Sequence, residues 1–189
     1  MKKLVPMILF AFVVLVQLSA AAAKDGDGKG AHYSGVLIGT GGAVGGASMW
    51  MDMYVDEFTS DEEALRFVKT LKEKGQDAVV RELEKSDVGR LTASRGGIVR
   101  LSVARRFESE TGTVVRLFTA RPLLFLEQFA GTRSTNYPIS LIELMLDKDG
   151  NGQGAVVGAA RVKITEDGRL ELESLGNQYV KITNVRRVE

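Results

Sequence analysis

Few residues in this 189-residue chain are of types that do chemistry, and their spacing narrows what they can do. The stretch Asp147-Lys148-Asp149-Gly150-Asn151-Gly152 begins as a calcium loop does, with oxygen ligands at the first, third and fifth positions. Such a loop closes with a bidentate glutamate at its twelfth position, where this chain has Gly158, and the residues that follow alternate like a strand, not a helix. The expected reading is a hairpin turn made of Asx hydrogen bonds and glycines at positive φ. Gly39 to Ser48, GTGGAVGGAS, has Gly41 and Gly46 at phosphate-loop spacing, but Ala47 replaces the lysine and Val44 replaces the third glycine of a dinucleotide fingerprint. Met49, Met51 and Met53 put three thioethers on one strand face; the set could hold Cu(I), but no His or Cys accompanies it and the face is expected to be buried as core filler.

Absent residue types exclude more than the present ones include. With no cysteine there is neither a thiol nucleophile nor a disulfide, and a Ser-His-Asp triad would have to recruit His32, the one histidine. A conventional zinc site lacks its usual ligands, so no metal and no cofactor are expected. Carboxylates remain: Asp52 and Asp56 share a strand face with Trp50 and Tyr54, which describes either a solvated sheet face or a sugar-binding floor. The most unusual feature is a run of eight arginines from Arg90 to Arg133, without a lysine and opposed only by Glu108, Glu110 and Glu127. The planar fork of arginine suits bidentate binding of carboxylate or phosphate, but most of the run is expected to be surface arginines that pair with Glu171, Glu173 or the helical acids. Strand parity places Arg105 with Val99, Leu101 and Val103, as a buried or cavity-facing cation in need of an anion, and places Arg100 and Arg106 on the other face. The candidate ligand-binding set is therefore Arg105, Arg121 and Arg133 for an anion, with Trp50 and Tyr54 as an aromatic wall.

These residues must be positioned by sheet. From Tyr33 onward, short alternating segments are separated by Gly or Asp-Gly turns, the pattern of antiparallel strands. Strands are expected near Gly35–Thr40, Met49–Phe58, Val88–Ser94, Gly97–Glu108, Thr113–Ala120, Ile139–Asp147, Ala155–Thr165, Arg169–Leu175 and Tyr179–Val188. Helical period interrupts after the second: Ser60-Asp61-Glu62-Glu63 fits a capping box, Ala64, Leu65, Val68 and Leu71 follow at helical spacing, and Gly75 suits a C-terminal cap. A second short helix, Gln76 to Lys85, presents Val79, Val80 and Leu83. The fold class is mainly β: an antiparallel meander of about 8 to 9 strands closing into a barrel-like sheet, with a helical hairpin over 60–85; a β-sandwich is the alternative. Arg121 to Tyr137, the one long irregular link, is where a mouth or lid is expected.

The N-terminus reads as an export signal: Lys2 and Lys3, an apolar run from Leu4 to Leu18, and small residues for cleavage near Ala21 to Ala23. The domain plan is then a signal peptide over 1–23, a disordered lead-in over 24–32 and one domain over 33–189, secreted or periplasmic, with no membrane attachment after cleavage and no cysteine for a lipid anchor. Losing the two leader lysines from 25 basic side chains leaves them balanced against 24 acidic ones to within one charge, so no nucleic-acid partner is expected.

Gly75-Gln76-Asp77, Val88-Gly89-Arg90, Ala120-Arg121-Pro122, Tyr137-Pro138, Ile142-Glu143-Leu144, Gly152-Gln153-Gly154 and Leu170-Glu171-Leu172-Glu173 give the chain from Thr59 onward a likeness: it resembles a family of uncharacterised secreted bacterial proteins. The resemblance implies a stand-alone exported domain and no particular activity. The sequence favours a module for a small apolar or anionic ligand; a carboxylate-based isomerase, cyclase or sugar hydrolase, and a protein-interaction domain acting through a sheet edge, are the alternatives.

Overall fold

The computed structural model describes residues 30–39, 47–94, 97–123, 137–164, 170–174 and 179–188. The chain runs β1 (Ala31–Ile38), β2 (Ser48–Val55), α1 (Asp61–Lys74), α2 (Gln76–Leu83), β3 (Gly89–Ala93), β4 (Gly97–Leu101), β5 (Val103–Ser109), β6 (Gly112–Thr119), β7 (Ile139–Leu146), β8 (Asn151–Ile164), β9 (Leu170–Ser174) and β10 (Tyr179–Arg187). All pairings are antiparallel, in the order β4-β3-β2-β1-β10-β8-β7-β6-β5, with β9 added to β8, and the sheet curls into a nearly closed barrel. This is the barrel-like meander with a helical insertion that the alternation predicts, and not a sandwich. The expected leader and most of the lead-in lie outside the described residues. β1 begins at Ala31, inside the segment expected to be a lead-in, because Ala31 is buried opposite Val55 and therefore has something to pack against.

Alternation puts one side chain in two into the barrel. Tyr33 and Leu37 of β1, Met49, Met51 and Met53 of β2, Leu91, Leu101, Val115, Leu117, Ile142, Leu144, Val156 and Ile182 form one continuous core. The three methionines are thus inside, where unbranched thioethers fill irregular space. Curvature comes from register shifts: β1 bulges between Ser34 and Val36, and β10 between Ile182 and Val185, where Asn184 has φ of 51°. Gly35 sits at the first bulge because a Cβ there would stand 2.7 Å from Ile182 Cγ2.

Between β4 and β5 the chain does not stop but changes partner. Leu101 O still accepts from Val88 N–H on the β3 side, while Ser102 N–H donates to Phe118 O of β6. Leu101, Ser102, Val103 and Ala104 are all buried, and Leu101 and Ala104 face the same core although three residues apart. Parity therefore breaks at Ser102. The uninterrupted strand expected over 97–108, with Arg105 on the face of Val99 and Leu101, is corrected accordingly: Arg105 and Val103 face outward, and Arg106, in register with buried Val115, faces inward.

The helical hairpin lies over the outward face at this level. Phe67 of α1 and Val79 and Leu83 of α2 pack on Val103, Ala120 and Ile139, with Leu71, Val80, Phe118 and Val162 at the margin. The capping box forms as expected, with Glu63 N–H donating to Ser60 Oγ and Ser60 N–H to the Glu63 carboxylate. The buried face of α1 is rotated from the expected one. Phe67 and Thr70 point inward and Leu65 is exposed, with Phe67 packed on the sheet and the buried Thr70 hydroxyl donating to Glu82 of α2 at 3.1 Å. Gln76 Oε1 accepts from Val162 N–H and ties the hairpin to β8.

The Asp147 stretch is a turn. Asp147 Oδ1 accepts from both Asp149 N–H and Asn151 N–H at 2.9 Å, Gly150 takes φ of 78°, and β8 starts at Asn151, four residues earlier than alternation alone suggests. A carboxylate oxygen so occupied is a poor calcium ligand. Excess chelator is expected to move the melting temperature by less than about 2 °C; a fall of several degrees would show a cation holding the loop.

Tyr33 supplies a sharper test of the core. It is fully buried, its hydroxyl has no hydrogen-bond partner among the described residues, and burial pushes its phenol up from the ordinary value against the opposing pull of Arg187 and Arg106. Because the hydroxyl is already desolvated without a partner, Tyr33→Phe is expected to change stability by no more than about 1 kcal/mol at neutral pH, or to raise it. The raised folded value means that the unfolded chain releases this proton first, so wild-type stability is retained below about pH 10 and declines above it. Urea unfolding from about pH 8 to about pH 11 should therefore show the variant gaining on the wild type at the alkaline end. A larger loss in the variant than in the wild type would mean that the hydroxyl has a partner.

Candidate functional site

The sequence-selected residues fall in three places. Trp50 and Tyr54 lie on the outward face of β2, Trp50 being 57% exposed. There the register puts His32 beside Tyr54 and Tyr54 beside Arg90, and the side chains follow: the His32 ring stacks on Tyr54 with centroids 4.2 Å apart, and Arg90 lies over Tyr54 at 4.5 Å. His32 Nε2 also meets Asp52 Oδ1 at 3.1 Å. This is a cross-strand ladder on the outside of the barrel. Arg121 is exposed beyond the end of β6, where its carbonyl accepts from Thr119 and Ser140, while Leu123 two residues on is buried in the main core. Arg133 lies outside the described residues.

Arg105 has the anion its position calls for. Its side chain is 17% exposed, one terminal nitrogen donates to Thr59 O at 2.8 Å and the other pairs with Asp61 in the first turn of α1. Thr59 is itself stitched to β5, donating its N–H to Ala104 O and accepting Ala104 N–H on Oγ1. Arg105 is thus a clamp that holds the start of the helical hairpin to the barrel wall, and its donors are committed to the protein. Arg116 pairs with Glu143 at 2.7 Å, Arg106 with Glu108 at 3.0 Å and Arg100 with Asp87 at 3.3 Å. Four of the eight arginines thus have a carboxylate partner, Arg116 across the sheet, Arg106 along its own strand, and Arg105 and Arg100 from segments outside the sheet.

What the sequence did not single out is the space beside that clamp. A groove of about 450 Å³ opens between the base of the helical hairpin and the barrel, over the place where the chain passes from β4 to β5. One wall is α1, with Glu63, Arg66 and Phe67; the other is the end of α2 and its exit, with Glu82, Lys85 and Asp87. Glu57 and Thr59 enter from the β2 side, and Ser102 lies at the floor. Ser102 is 2% exposed. Its N–H is spent on Phe118 O, which leaves its hydroxyl as the group it can offer the groove. No signal in the sequence points to Ser102, since its burial follows from the parity break, which is a consequence of non-local pairing.

The groove does not have the makings of a metal centre: among the described residues no group of three His, Asp or Glu could hold a metal ion. Asp52 and Asp56, the acids weighed for catalysis, do not line it, and Glu143 is committed to Arg116. Among the described residues no helix is long and apolar enough to cross a membrane.

The clamp predicts a local loss. Arg105→Ala leaves Thr59 O without its partner, while exposed Asp61 returns to solvent, and is expected to cost about 1 kcal/mol, with α1 amides exchanging faster while sheet amides keep their protection. Asp61→Asn keeps an acceptor and should cost less than about 1 kcal/mol. Unchanged exchange of α1 in Arg105→Ala would remove the clamp from the account. Comparison of the chain with protein-family models, curated proteins and solved structures finds no match in any of the three.

Proposed function

We propose that the chain is an exported small-molecule-binding module whose ligand sits in the groove between helical hairpin and barrel, and not inside the barrel. The observation that carries this reading is an open groove of about 450 Å³ with charged side chains on both walls and Ser102 in its lining. That volume lies in the range of small-ligand sites, which combine a shaped concavity with a few convergent polar groups. The interior offers no comparable support, since inward side chains from nine strands form the continuous core. Arg105 serves the site indirectly, by fixing the position of α1, whereas Trp50 and Tyr54 belong to a separate outer surface.

Export follows from the charged, apolar and small-residue pattern of residues 1–23 and is part of the same proposal. The experiment is native mass spectrometry of protein purified from its own cells, comparing wild type with Ser102→Thr and Ser102→Val. The two replacements match in shape and differ in the hydroxyl, and both are checked for folding by circular dichroism. One small molecule per chain in the wild type and in Ser102→Thr, with at least about tenfold lower occupancy in Ser102→Val, is the expected result. Equal occupancy in both variants places the ligand elsewhere and overturns the reading.

A further inference from the structure

The charges around the groove say more about what it would hold. Each wall carries both signs: Glu63 and Arg66 on α1, Glu82 and Lys85 at the end of α2. Arg66, Lys85 and Glu57 make no ion pair among the described residues, although opposite charges line the same space. Arg66 instead lies over the Phe67 ring at 5.3 Å. The remaining acids are partly committed, Glu63 to Ser60, Glu82 to Thr70 and Asp87 to Arg100.

We infer that the groove takes an amphoteric ligand, a free amino acid or an ammonium carboxylate of similar size, an inference that rests on the groove being the ligand seat. The carboxylate goes to Arg66 and Lys85, which approach from opposite walls. The ammonium goes to Glu57. The Ser102 hydroxyl, able both to donate and to accept, meets a polar group of the ligand at the floor. A simple anion would sit among four carboxylates, and a simple cation would face Arg66 and Lys85 with nothing to offer them; like charges left facing one another are how a site rejects the wrong ligand. Phe67, packed at the base of α1, gives an apolar side chain a surface to lie against.

The test is calorimetric titration of the full chain with a set of L-amino acids, each beside the amine and the carboxylic acid that lack one of its two charges. The inference expects at least one amino acid to bind at least about tenfold more tightly than both one-charge relatives. Arg66→Ala, Lys85→Ala and Glu57→Gln, all at exposed positions, should each weaken it by about tenfold. If a carboxylic acid binds as well as its amino acid and Glu57→Gln changes nothing, the ligand is a plain anion: the amphoteric inference falls and the groove stands. If an amino acid binds but none of the three substitutions weakens it, it sits elsewhere and both readings fall. If no amino acid binds, the inference is overturned, and the Ser102 comparison then decides the groove by itself.

Discussion

The structure depends on one exchange of partners. A meander of strands closes only if its ends meet, and here they meet within a single stretch of chain: β4 pairs with β3, β5 pairs with β6, and Ser102 stands between them with its N–H already turned to Phe118. A strand that changes neighbours in this way must bend, and the bend consumes one residue of alternation. Its cost is offset by burying four consecutive residues, Leu101 to Ala104, two toward the barrel core and Val103 toward the helices. The seam is then reinforced from the side by Thr59, which supplies both a donor and an acceptor to Ala104.

The groove lies beside that seam. The helical hairpin leaves the sheet at Thr59 and returns at Val88, the two residues that flank it, so the hairpin cannot avoid arching over the bend. Its apolar face has one place to go, the outward patch of Val103, Phe118, Ala120 and Ile139. The groove is what remains under the arch where helices and bent strand do not meet. Loops and insertions held by a rigid sheet are where binding residues gather, and here the rigid part also supplies the floor.

Much of this was legible in the sequence, and the part that was not has a physical reason. Local signals survived: the capping box at Ser60, the Asx turn at Asp147, the inward methionines at 49, 51 and 53. Each is decided by residues within a few positions of one another. The break at Ser102 carries no glycine or proline and looks like any alternating strand, because it is imposed by β3 on one side and β6 on the other. Arg105 was correctly seen to need an anion, but the face it occupies depends on that break. The face that α1 buries, with Phe67 and Thr70, likewise meets partners outside the helix, the sheet patch and the Glu82 carboxylate.

The arginine run, the feature of the sequence that most suggested anion binding, has a different meaning once the strands are paired. Antiparallel register places Arg116 across from Glu143, and an acid two residues along the strand serves Arg106. The first turn of a helix, where carboxylates are favoured by the exposed N–H groups, delivers Asp61 to Arg105. Arginine is well suited to such half-buried sites because its fork spends several donors at once and its stem covers apolar surface; Arg105 and Arg116 both lie against the Phe107 ring while paired with carboxylates. A guanidinium so engaged has little left for a ligand. Arg66 and Lys85, on the helical arch and outside those pairs, line the groove.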